Sequence, residues 1–167
     1  SHHYRAPMNY TFELAAQSEA AMRTLSAFRA KLDFVILKNH AGTSSQDIAT
    51  QIARFDDEFF ASLNDDFNTP RALAAIFNLM NACVPMLYSL QTSEAKQLRK
   101  QLNQALVVLG FSIALPTIPV RIRQLAKARE AQRIARRFDE SDALRARITH
   151  DGYFIEDTPI GPLIIKS

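Results

Sequence analysis

Apolar side chains recur at every third and fourth position along most of this chain. That spacing is its strongest constraint, because a helix of 3.6 residues per turn gathers such positions into a stripe that must be buried against a neighbour. Leu14, Ala21, Leu25, Phe28, Leu32 and Val35 make one stripe, which ends at a polar, glycine-containing link over residues 39–45. Ser44 with Asp47 resembles a capping pair, and Ile48, Ile52, Phe55 and Phe59 follow as a second stripe. The run NDDFNTP at 64–70 breaks it. Asn68 or Thr69 is placed to cap a third helix, with Pro70 in its first turn and Leu73, Ile76, Phe77, Met80 and Val84 facing inward. Pro85 should kink or end that helix, and a fourth runs from about Ser93 through Leu98, Leu102 and Leu106 to Leu109, stopping at Gly110.

Beyond Gly110 the helical spacing lapses, and Pro116 and Pro119 mark a boundary because proline removes a donor and disfavours helix in the residue before it. The expected organisation is a helical bundle over 1–115 and a small α+β domain over 116–167. The smaller part offers a helix over 120–137 and another over 140–150 that stops at Gly152. Two apolar runs, Tyr153 to Ile155 and Leu163 to Ile165, flank TPIG and are expected to pair as a hairpin. The fold class is therefore mainly α.

With 167 residues, 47% of them hydrophobic, the chain can bury roughly 70% of its unfolded surface and support such a core. No apolar run approaching the ~20 residues of a membrane span is expected, and the polar start lacks the apolar centre of a signal peptide, which points to the cytoplasm. Cys83 is alone and falls in an apolar helical run, so it reads as an inert buried thiol.

The net charge of +3 is unevenly placed. Residues 1–118 carry ten basic and ten acidic side chains, whereas 119–167 carry ten basic and seven acidic. Arg121, Arg123, Lys127, Arg129, Arg133, Arg136 and Arg137 face Glu130 alone within 119–137. Such a helix favours a polyanion.

Catalytic chemistry is not visible. A nucleophile needs a base and an orienting group, yet no serine stands in a glycine elbow, no cysteine lies near a histidine, and the four glycines are scattered singly rather than forming a phosphate loop. His2, His3, His40 and His150 are spread too widely for a metal motif. Neither a catalytic residue nor a metal is expected in this chain.

RNA binding is better supported. Arg129, Arg133 and Arg136 recur at spacings that share one helical face, with Arg137 beside them, and planar guanidinium groups hold two phosphate oxygens at once. Phe138 follows at the end of this basic helix, where an aromatic ring can stack on an unpaired base, a contact worth roughly 1–3 kcal/mol. Asp142 and Asp157 supply carboxylates that accept from the amino and imino donors of guanine or cytosine. The alternative is a solvated basic face paired with Glu130, Asp139 and Glu140, on a helical protein-interaction module without RNA specificity.

Three separated segments shift the balance. SHHYRAPMNY at 1–10, NDDFNTPRAL at 64–73, and Arg129 to Gly161 with its closing EDTPIG together resemble the carboxy-terminal half of a bacterial cysteinyl-tRNA synthetase, of class I. The resemblance implies a helical bundle of the anticodon-binding type of class Ia synthetases, then a small domain that grips the anticodon of tRNA for cysteine. It implies that Arg133, Phe138, Asp142 and Asp157 meet bases, with Arg129, Arg136 and Arg137 alongside. It implies a parent ligase, monomeric, whose catalytic domain uses ATP and zinc and is absent here, so this chain alone should be inactive. By the same resemblance Tyr4, Arg5 and Tyr10 pack against that catalytic domain. The paired Asp65 and Asp66, which could suggest a metal or acid-base site, read instead as a helix entrance, where acids complement the helix dipole. The ending PLIIKS departs from the tryptophan and arginines that many members carry after T-P-x-G.

Overall fold

The computed structural model describes residue 5 and residues 11–39, 41–43 and 46–166. The proposed Ser44 cap, Tyr4, Tyr10 and the histidines at 2, 3 and 40 lie outside these residues. The chain is mostly helical, with one antiparallel hairpin, and divides into two compact units, 1–113 and 114–167.

The first unit is a bundle of four helices: α1 (Phe12–Lys38), α2 (Gln46–Asn64), α3 (Thr69–Cys83) and α4 (Thr92–Val108). Most of each expected stripe faces inward; in the third, Ile76 and Met80 are buried and Leu73 and Phe77 half-buried, but Val84, just past the end of α3, is 51% exposed. Leu25, Phe28, Leu32 and Val35 of α1 are buried, as are Ile48, Ile52, Phe55 and Phe59 of α2, while Leu14 and Ala21, near the start of α1, are only half-buried. Polar contacts tie the helices at their edges: Asp33 of α1 accepts from Arg99 of α4 at 2.9 Å, and Asp56 of α2 from Gln101 of α4 at 3.1 Å.

Helix ends follow from local chemistry. Asn68 Oδ1 accepts from the Arg71 backbone N–H at 3.2 Å, satisfying one of the orphan donors at the start of α3, and Pro70 sits in the first turn, where its missing N–H costs nothing. Asp66 and Phe67, just before, take left-handed backbone (φ 50° and 54°), so the chain reverses within four residues. Pro85 converts the end of α3 into a 3₁₀ segment, Val84–Ser89. At the end of α4 Gly110 (φ 79°) lets the Phe111 N–H reach back to the Leu106 carbonyl at 2.8 Å, which closes the helix.

The segment Thr69–Ser89 corrects one expectation. Its 21 residues contain an 18-residue window of mean hydropathy 1.4, long and apolar enough to span a membrane by length and composition alone. The bundle accounts for that apolarity, since Ala72, Ala75, Ile76, Leu79, Met80, Cys83 and Leu87 are all buried in its core. Burial pushes the Cys83 thiol up to about 11.

The second unit packs α5 (Val120–Ile134) and α6 (Phe138–His150) against the hairpin of β1 (Tyr153–Thr158) and β2 (Gly161–Lys166). Two strands alone are marginal, and here Ile155 joins Ile122, Ala126 and Ile148 in one cluster, with Tyr153 and Ile164 packed on it. Pairing runs from Tyr153 with Lys166 to Thr158 with Gly161, so Pro159 and Ile160 alone make the turn. Thr158 Oγ1 donates to the Gly161 carbonyl at 2.6 Å and fixes that turn. The apolar ending PLIIKS thus supplies the second strand, with Leu163 and Ile165 buried.

Candidate nucleic-acid interface

The face of α5 that packs inward contains Ile122, Ala126, Arg129 and Arg133, at spacings of four, three and four. Its arginines therefore continue the core stripe. On β1, alternation puts Tyr153, Ile155 and Asp157 on one side, and because the first two pack on the cluster, Asp157 is turned towards the same helix. Arg129 Nη1 and Nη2 donate to Asp157 Oδ1 and Oδ2, both at 2.8 Å, and Arg133 Nη1 stands 2.6 Å from Oδ1. The Arg129 hydrogen bond, and then the charges of Arg129, Arg133 and Arg145, hold the Asp157 carboxyl below its ordinary range despite some desolvation, while Asp157 raises the Arg129 guanidinium.

This geometry revises the expected arginine face. Arg129 is only 2% exposed, so it is placed as an internal support and not where a phosphate would be met. The helix expected over 120–137 stops at Ile134: Arg136 takes left-handed backbone (φ 59°) and the Arg137 N–H bonds to the Gln132 carbonyl at 2.9 Å, a closure usually made around glycine. Arg136 consequently leaves the face it was expected to share. Arg136 and Arg137 both remain exposed, and the nearest acid to Arg137 is Glu140, at 3.9 Å.

Phe138 does not end the basic helix but begins α6, whose Asp139 and Glu140 suit the positive end of the helix dipole. Its ring is 61% exposed. Within this unit Arg133, Phe138 and Asp157 line one cleft of about 370 Å³, at the small end of the range for ligand sites. Glu130 and Ile134 of α5 complete one wall, and Thr158, Gly161 and Pro162 of the hairpin the other. Asp142 is exposed one turn along α6 from Phe138 and does not line the cleft. Glu130 was read from the sequence as a mere counter-charge. The signal that would have found it is its position three and four residues before Arg133 and Ile134, which sets all three on adjoining parts of one helical face.

Residues 58–114, covering the end of α2, all of α3 and α4, match the DALR domain. Along nearly its whole length the chain is a relative of the cysteine–tRNA ligases, of which it spans about a third. It is 30% identical to cysteine–tRNA ligase of Caldicellulosiruptor saccharolyticus, with 95% of this chain and 35% of that protein covered. It is also 30% identical to that of Chlamydia felis, covering 98% and 35%, and 29% identical to that of Rubrobacter xylanophilus, covering 98% and 37%.

Proposed function

We propose that this chain is the tRNA-binding carboxy-terminal region of a cytoplasmic, monomeric cysteine–tRNA ligase. Its terminal unit reads the anticodon stem-loop of tRNA for cysteine, and the bundle joins it to a catalytic domain that uses ATP and zinc. The observation that carries this reading is the cleft, where an exposed aromatic ring, a guanidinium and a carboxylate converge in a chain related to these ligases. Phe138 offers a stacking surface, Arg133 retains donors not spent on Asp157, and exposed Arg136 and Arg137 add sequence-independent attraction to phosphates.

Binding is expected to be weak and salt-sensitive, and the chain alone should not charge tRNA. The test is a titration of labelled tRNA for cysteine against a copy with an altered anticodon, at low salt. Tighter binding of the first supports the reading, while equal binding refutes anticodon recognition. If RNA left the amide signals of residues 120–160 unmoved, a protein-interaction module would be the better account.

A further inference from the structure

We infer that Glu130 is a specificity-determining acceptor of the cleft, reading the amino group of the unpaired base that stacks on Phe138. This deepens the proposed anticodon reading and rests on it. A carboxylate offers about four acceptor sites, and Asp157 has committed both oxygens to Arg129 and one of them again to Arg133. Little of its capacity remains for a ligand. Glu130 lines the same cleft and is half-buried, and among the described residues no hydrogen bond or ion pair engages its carboxylate. A partly desolvated acceptor without donors gains most from a ligand that supplies them.

The ionised side chains at the cleft offer a phosphate no surplus of positive charge. Glu130 and Asp157 line it with Arg133, and the buried Arg129 paired with Asp157 balances the second carboxylate, so the four together carry no net charge. A base suits the pair. Guanine, adenine and cytosine each place an amino donor beside an oxygen or ring nitrogen, matching a carboxylate next to an arginine, whereas uracil has no amino group. Ile134 and Pro162 add apolar surface for the ring.

The experiment uses the full chain and a cognate anticodon stem-loop in which each loop base is replaced in turn by a counterpart lacking the amino group: inosine for guanosine, purine riboside for adenosine, uridine for cytidine. At one position the wild type should lose roughly tenfold in affinity, the lower end of what a good base-edge contact provides. Glu130→Met, of similar length but without a strong acceptor, should abolish that gap, so that parent and substituted RNA bind alike. A gap that persists in Glu130→Met overturns the inference, and so does the lack of any gap in the wild type, an arm that needs no variant. Arg133→Ala and Phe138→Ala separate the two levels. If they weaken every stem-loop while the Glu130 result fails, only the assignment of Glu130 falls. If they too leave binding unchanged, the cleft is not the reading site and both ideas fall.

Discussion

Arg129 and Asp157 meet through two parallel contacts of 2.8 Å, which tie α5 to β1 across 28 residues of sequence. The guanidinium is 2% exposed and the carboxylate side chain 37%, so the pair is buried on one side only.

Asp157→Ala should therefore destabilise the terminal unit strongly, because it strands a buried charge. Removing one member of a buried pair costs roughly 3–5 kcal/mol, and water at the open side should hold the loss near the lower end. Arg129→Met should cost less, since Asp157 keeps Arg133 and some solvent. Amide exchange of hairpin residues Ile155 and Leu163 measures both. Equal losses would count against a stranded charge.

The same pair sets an acid limit. The folded carboxyl of Asp157 sits below its ordinary range, so it binds its proton less readily than the unfolded chain, whose Asp titrates near pH ~3.9. The resulting stability is present above that value and is lost as pH falls through the folded pKa. Hairpin amide signals followed from neutral to strongly acidic pH should show this loss in the wild type. Asp157→Asn should start less stable and lack that acid-dependent component.

Arg136 occupies a left-handed position that an L side chain adopts at a cost of about 1–2 kcal/mol. Arg136→Gly should relieve it, raising stability by up to about 1 kcal/mol in urea unfolding. The same change removes an exposed cation. The slope of log affinity for tRNA against log salt should become shallower by about one. A variant that is stabilised but keeps the wild-type slope would remove Arg136 from the RNA surface.

Asn68→Ala should cost ~1 kcal/mol by leaving the Arg71 N–H uncapped, and Asn68→Asp should restore most of it. Thermal unfolding of the chain measures both. Gly42→Ala should be the more severe, since a Cβ there would collide with the Ser89 and Leu90 carbonyls, which are backbone and cannot step aside.

The bundle was legible because its stripes are long: Leu25 to Val35 and Ile48 to Phe59 each repeat over several turns, so packing and pattern agree. The hairpin was legible from the turn residues of TPIG. What misled was charge. Arginines 129, 133 and 136 were read as one outward face, although Ile122 and Ala126 already defined the inward face that Arg129 and Arg133 continue. A guanidinium enters a core only when a carboxylate waits for it, and Asp157, 28 residues later, lies beyond any local pattern. The break at Arg136 was equally hidden, for neither glycine nor proline marks it. Of the cleft, Arg133, Phe138 and Asp157 were foreseen, and Glu130 and the hairpin wall emerged only from the fold.

Cys83, the sole thiol of the chain, is sealed in the bundle and holds its proton near neutrality. A cysteine introduced on the exposed surface of α6 would then be the only site that a maleimide dye attacks. The unmodified background would stay dark, and fluorescence could follow the terminal unit without first removing a native sulfur.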